Sequence, residues 1–194
     1  KKLQANSVVI PRGIDTDFFN PLNKDEARKQ LGWPLDKTIV LFNQSQKNAQ
    51  VKNFPLAEAS FTVYQNRFNS KSELKVLVGQ PSEIVLQMLS AADVLLVTSF
   101  HEGSPNIVKE SMACNLPVVS VPCGDVAERL EFVSPSQIED YDQDLLSEAI
   151  NEVSAKRIRS NGREQCFQQG IDNKGIWIKI NEVYLDSISK HKRK

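Results

Sequence analysis

Four short runs of the chain constrain its fold more than any other feature: "TIVLF" (Thr38 to Phe42), "KVLVG" (Lys75 to Gly79), "VLLVT" (Val94 to Thr98) and "PVVSV" (Pro117 to Val121). Each is β-branched or aliphatic on both alternating faces. A strand that hides both faces belongs to a sheet covered on both sides, and the segments between these runs have helical patterns. The alternation predicts an α/β fold, a parallel sheet flanked by helices.

The helical segments carry their own punctuation. Asn23, with Glu26 three residues later, forms a capping pair for Lys24 to Leu31, and Gly32 is placed to end that helix. Pro55 opens a segment to about Tyr64, Ser82 caps one to about Ala92, and Ser104 with Pro105 opens another to about Cys114. After Gly124 the pattern turns helical, with Leu145, Leu146, Ala149, Ile150 and Val153 on one stripe. A second stripe holds Ile176, Trp177, Ile180, Val183, Tyr184 and Ile188 and reads as packing.

A length of 194 residues suits one domain with one core. Lys plus Arg and Asp plus Glu both number 24, so no global field favours nucleic acid or an anionic membrane, and any anion site must be local. The basic end, Ser189 to Lys194, reads as a solvated tail. Cys114, Cys123 and Cys166 form neither a disulfide framework nor a zinc pattern, and no run has the length of a membrane span, which predicts a cytoplasmic protein needing no metal. No G-x-G-x-x-G follows a strand, so a nicotinamide or flavin fingerprint is lacking.

The chemistry concentrates in "HEGSPNIVKE" (His101 to Glu110), the loop leaving the strand Val94 to Thr98. Ligands of such sheets bind at the carboxyl ends of strands. Gly103 permits close backbone approach, and the free amides around Ser104, Asn106 and Ile107, with Pro105 among them, suit an anion. Lys47 and Lys52, in the polar loop after the first sheet strand, supply cations on the same side. Glu102 and Glu110 repel anions, which makes sense only for a ligand that also carries hydroxyls, because a carboxylate accepts from vicinal hydroxyl groups. Amides and lysines for phosphate, acids for sugar: the set reads as a nucleotide-sugar site.

These residues resemble a known signature. Glu, seven residues and Glu with an E-G-x-P opening is similar to the motif of glycosyltransferase family 4, retaining enzymes of the two-domain GT-B fold. "IPRGIDTDFFNP" (Ile10 to Pro21), the Lys47 to Lys52 spacing, "AADVLLVTS" and "ESMACNLPVVSVPCGDVAE" resemble further family stretches in the right order. The resemblance implies a Rossmann-like donor-binding half of a GT-B enzyme, with an opening segment 1–22, a core 23–170 and a C-terminal helix with basic tail 171–194. The chain begins at Lys1 without Met, and an acceptor-binding domain is expected to precede it. The stripe from Ile176 to Ile188 would then be a closing helix that packs onto that domain.

By resemblance Lys47 and Lys52 bind the diphosphate, together with Ser104, Pro105, Asn106 and Ile107. Glu102, as the catalytic residue, contacts the donor sugar along with Gly103 and Ser104, and Glu110 holds the ribose. The co-substrate is a nucleotide sugar, a UDP-sugar first, and no other cofactor is implied. Arg12 stands where the family usually has Asn, and Asn115 where Gly is common. After Gly79, "GQPSE" joins directly what the family separates by a further helix and strand, which leaves Gln80 and Pro81 to face the base. Two alternatives remain: a glycoside hydrolase using two carboxylates roughly 5 to 9.5 Å apart, which leaves the lysines without a ligand, and a non-catalytic module binding a nucleotide or partner.

Overall fold

The structure, a computed structural model, describes residues 8–44 and 49–191. Five parallel strands, β1 (Thr38–Gln44), β2 (Ser72–Val78), β3 (Val94–Val97), β4 (Val118–Ser120) and β5 (Gln137–Ile138), pair in the order β2-β1-β3-β4-β5. Register is fixed by pairs such as Leu41 with Lys75, Leu41 with Leu95 and Leu96 with Val119. The α/β architecture is as predicted, and each apolar run lies in a strand.

Helices α1 (Lys24–Leu31), α2 (Phe54–Arg67), α3 (Ser82–Ala91), α4 (Asn106–Ala113), α5 (Val126–Leu130), α6 (Gln143–Ala155), α7 (Gly162–Gln168) and α8 (Asn173–His191) complete the chain. From β1 to β2 the chain steps one way along the sheet, and from β2 to β3 it steps back past β1. Right-handed crossovers therefore put α2 on one face and α3 and α4 on the other. The packing agrees, since α2 lies against α6, while α1 packs on α3 and α4 on α7. Between these layers Ile39, Val40, Leu41 and Phe42 are at most 1% exposed, each stabilising the fold by about 1.5–3 kcal/mol.

Local signals explain the helix ends. Asn23 Oδ1 accepts from the amides of Asp25 and Glu26, and Gly32 closes α1 in the left-handed region. Ser82 and Ser104 are not caps. Pro81 and Pro105 take those positions, with no side-chain bond to the helix, because each proline's extended backbone already sets the entry angle. In α6, Leu146, Ala149, Ile150 and Val153 are buried while Leu145 faces outward. The α8 stripe is largely open: Ile176 is buried against the opening segment at Gly13, whereas Trp177, Ile180, Val183, Tyr184 and Ile188 are exposed.

The opposite end of the sheet from the strand termini is locked by a buried arginine. Arg28 donates to the carbonyls of Ala91, Pro34, Leu35 and Lys37 and pairs with Asp93 at 2.7 Å, and Asp93 accepts from the Ile39 amide and pairs with Lys24. The guanidinium is thus fully bonded, which a buried charge requires. That lock fixes the starts of β1 and β3, whose carboxyl ends form the site.

Candidate functional site at the switch between β1 and β3

The strand order reverses between β1 and β3. Loops leaving these two strands part in opposite directions and open a crevice at their carboxyl ends, where ligands of open α/β sheets bind. From β1 the chain passes into a short 3-10 turn, Ala49–Lys52. From β3 it passes through Thr98 to Pro105 into α4. The two exits are stitched together: the Phe100 amide donates to Val51 O at 2.9 Å, and the Thr98 hydroxyl lies 2.9 Å from Lys52 O and 3.0 Å from Asn53 O.

This stitching brings Lys52 onto Glu102. Nζ stands 2.5 Å from Oε1, with the side chains 16% and 17% exposed. The sequence separates the two residues by 50 positions and assigns them different ligand groups, so their contact is new information. The cation and the acid neutralise one another. Lys47 lies outside the described residues.

The loop after β4 braces the Glu102–Ser104 loop from behind. Asp125 donates its amide to Gly103 O at 3.0 Å, and Gly124, at φ 58°, sits so close that a Cβ there would come within 2.4 Å of Gly103 O and 2.9 Å of Glu102 O. Only glycine fits. Behind it the buried Arg129 bonds Asp125 Oδ2, Glu128 and Gln169. Gly103 itself is the reverse case: it faces outward, a Cβ would meet nothing within 4 Å, and its φ is outside the left-handed region. The fold therefore does not require glycine at 103.

At the start of α4 the amides of Ser104, Asn106 and Ile107 have no hydrogen-bond acceptor among the described residues. Asn106 is exposed, and Pro105 and Ile107 are buried and anchor the turn. The Ser104 hydroxyl oxygen is buried without a hydrogen-bond partner among the described residues, beside the open amides. Sequence reasoning put Ser104 in the site through its backbone and passed over this hydroxyl.

Glu110, one turn further along α4, is half-buried and makes no ion pair or side-chain hydrogen bond to another described residue. Burial raises its pKa, against the pull of Arg12 and Lys109. Lys109 is buried beneath it, donates to the Arg12 carbonyl at 2.8 Å, and has its pKa lowered by burial. The opening segment is thus tied to α4 by the Arg12 carbonyl, an interaction the side-chain identity at 12 does not determine. Gln80 and Pro81 are exposed on the link between β2 and α3, where "GQPSE" joins strand to helix directly. Cys114, Cys123 and Cys166 are buried free thiols, and burial pushes Cys114 and Cys166 up to about 12. Among the described residues no helix is long and apolar enough to cross a membrane.

Comparison with known proteins bears directly on this crevice. Residues 60–156, half of the chain, match the family described as "Glycosyl transferases group 1". The chain belongs to the group 1 glycosyl transferases. The match runs from α2 through the crevice to the end of α6, so the Glu102–Glu110 segment lies inside it. Among relatives, TuaC of Bacillus subtilis, a glycosyltransferase assigned to teichuronic acid biosynthesis, is 29% identical over 177 residues, covering 81% of this chain and 44% of TuaC. The C-terminal domain of the group 1 protein LpcC from Francisella tularensis shares the fold with a TM-score of 0.63 at 15% identity, over 88% of this chain and 98% of that one. Anabaena HepE, solved in complex with UDP-glucose, shares it with a TM-score of 0.67 at 18% identity, over 94% of this chain and 57% of HepE. This group 1 chain therefore spans less than half the length of its relative TuaC.

Proposed function

We propose that the chain is the donor-binding half of a retaining glycosyltransferase of family 4 with the GT-B fold, and that its crevice holds a nucleoside diphosphate sugar. The observation that carries the reading is the Lys52–Glu102 pair at the β1/β3 switch point, set beside amides and a Glu110 carboxylate that have no hydrogen-bond or ion-pair partner among the described residues. A ligand with phosphates at one end and hydroxyls at the other satisfies both members of that pair. Lys52 and the amides of Ser104 to Ile107 take the diphosphate, with Lys47 as a second cation. Glu102 turns to the hydroxyls of the donor sugar, Glu110 accepts from the ribose, and Gln80 with Pro81 borders the base. UDP-glucose in HepE supports a UDP-sugar as the first donor to test.

In the reaction the acceptor oxygen bonds to the anomeric carbon as the bond from that carbon to the diphosphate oxygen breaks. The electron pair leaves with the diphosphate, and the acceptor's hydroxyl proton ends on that oxygen or in solvent. Charge develops on the leaving oxygen, where fixed cations and amides stabilise it most. Retention is the outcome implied by the family resemblance. The exposed α8 stripe and the coverage of only about half of TuaC and HepE support a second domain that completes the acceptor side of the cleft. The group 1 match does not favour a hydrolase.

Calorimetric titration of the chain with UDP-glucose, GDP-mannose and ADP-glucose tests the reading. One of the three is expected to bind, with affinity lost at least tenfold in Lys52→Ala and in Glu110→Ala. Binding by none, or binding indifferent to both substitutions, rejects it and favours a partner-binding module.

A further inference from the structure

Next to the Lys52–Glu102 pair lies a groove that the donor reading does not use. Three loops from the carboxyl edge of the sheet form it: Gln50 and Val51 after β1, Phe100 and His101 after β3, and Tyr141 after β5. Its volume, about 620 Å³, is that of a small-molecule site. The Phe100 and Tyr141 rings lie nearly parallel, 14° apart in plane with centroids at 5.9 Å, yet they remain 50% and 41% exposed. Neither position is loose. The Phe100 amide is held by Val51 O, and the Tyr141 hydroxyl donates to Ser99 O at 2.9 Å. The fold fixes two aromatic rings as a stacked pair and leaves part of each open.

The position of the groove narrows what it takes. Along the carboxyl edge the order is Gln80 and Pro81 after β2, Lys52 after β1, Glu102 after β3, and Tyr141 after β5. A donor laid out as base, diphosphate and sugar ends near Glu102, and the groove runs alongside that end, from Gln50 and Val51 beside Lys52 to Tyr141 after β5. Phe100 is two residues from Glu102, a span of at most about 7 Å of chain. Whatever stacks on Phe100 stands beside the carbon that Glu102 holds.

We infer that this groove is a carbohydrate subsite, in which Phe100 and Tyr141 stack the apolar face of the acceptor's sugar ring and Gln50 and His101 take its rim hydroxyls. The inference rests on the donor reading above for the identity of the reacting carbon. A pyranose presents C–H groups on a ring face and hydroxyls around the edge, which matches an apolar floor with a polar lip. Among the described residues no lysine or arginine lines the groove. A nucleobase also stacks on aromatic rings, but the expected base position lies past β1, on the other side of the Lys52–Glu102 pair.

Saturation-transfer NMR on the 194-residue chain tests this with methyl α-D-glucopyranoside, methyl α-D-mannopyranoside and the methyl glycoside of N-acetyl-D-glucosamine as probes, with UDP titrated in parallel. At least one glycoside is expected to receive saturation mainly on one ring face. Its dissociation constant should rise fivefold or more in Phe100→Ala and in Tyr141→Ala, while UDP affinity stays within twofold. Phe100 is half exposed, so its removal leaves the fold in place, and unchanged UDP binding reports that directly. UDP binding with no glycoside contact, or contact indifferent to both substitutions, overturns the subsite and leaves the donor reading intact. A parallel loss of UDP affinity in Phe100→Ala also overturns it, by making the groove part of the nucleotide site. Glycoside contact without UDP or UDP-sugar binding overturns the assignment to an acceptor, and it is the donor reading that then fails.

Discussion

Replacing Glu102 by Gln keeps the shape of the side chain and removes its charge, and the outcome is expected to run against intuition. Lys52 Nζ stands 2.5 Å from Glu102 Oε1, with both side chains mostly shielded. Exposed pairs contribute at most about 1 kcal/mol and breaking a buried one costs about 3–5 kcal/mol, so an intermediate pair is coupled by roughly 1–2 kcal/mol. A diphosphate arriving at Lys52 must displace this carboxylate, and in Glu102→Gln it need not. The same coupling then acts twice with opposite sign: the chain loses about 1–2 kcal/mol of stability, and plain UDP binds roughly five- to thirtyfold more tightly. A UDP-sugar gains less, because its hydroxyls lose a charged acceptor, so the preference for UDP-sugar over UDP falls. Urea denaturation and calorimetry with UDP and UDP-glucose at one ionic strength measure all three quantities. If UDP binds the variant no better than the parent chain, the pair does not gate the phosphate site and the reasoning fails.

Gly103→Ala should leave stability unchanged or raise it by about 0.4–1 kcal/mol, since the added methyl meets nothing; UDP-sugar affinity should nonetheless fall about tenfold, and full retention of affinity in calorimetry rules out close approach there. Gly124→Ala combines a left-handed φ with a Cβ 2.4 Å from Gly103 O, so it should cost at least about 1–3 kcal/mol in urea denaturation and weaken UDP binding through the displaced loop. Glu110→Gln should stabilise the chain at pH 7. Burial raises the folded pKa, so the cost of an ionised Glu110 is absent below the usual carboxyl value of 4.5 and grows as pH rises through the folded value; the variant's advantage must therefore vanish near pH 4, and an advantage that persists there contradicts the assignment.

β1, β3 and β4 were legible because burial on two faces leaves an uninterrupted apolar run, whereas β2, an edge strand that is mostly half-buried, showed only its apolar end; the helix Lys24–Leu31 was legible to the residue because its cap and its terminating glycine both act locally. β5 escaped notice, being two half-buried residues whose only strand character is their pairing with Val119 and Ser120. Within the site, the residues of the Glu102 to Glu110 loop could be named because a helix start and a glycine are local features. Which of them touch could not. The Lys52–Glu102 contact arises from stitching between two strand exits, and the Phe100–Tyr141 platform from residues 41 apart joined by a hydroxyl to a backbone carbonyl. The α8 stripe was legible as an apolar helical face, but what covers it was not, because helical spacing reports that a face is apolar and not what packs against it.

The three sheltered thiols make the chain its own stopwatch. Alkylating and disulfide reagents attack thiolates, and with Cys114 and Cys166 at 0% exposure and pushed up to about 12, neither reacts at pH 8 until the shell around α4 and α7 parts. Labelling rates at these two positions therefore time that parting without any added probe. Cys123, buried behind the crevice loops, times a different seam in the same experiment, so a ligand that clamps those loops would slow one clock and leave the other two running.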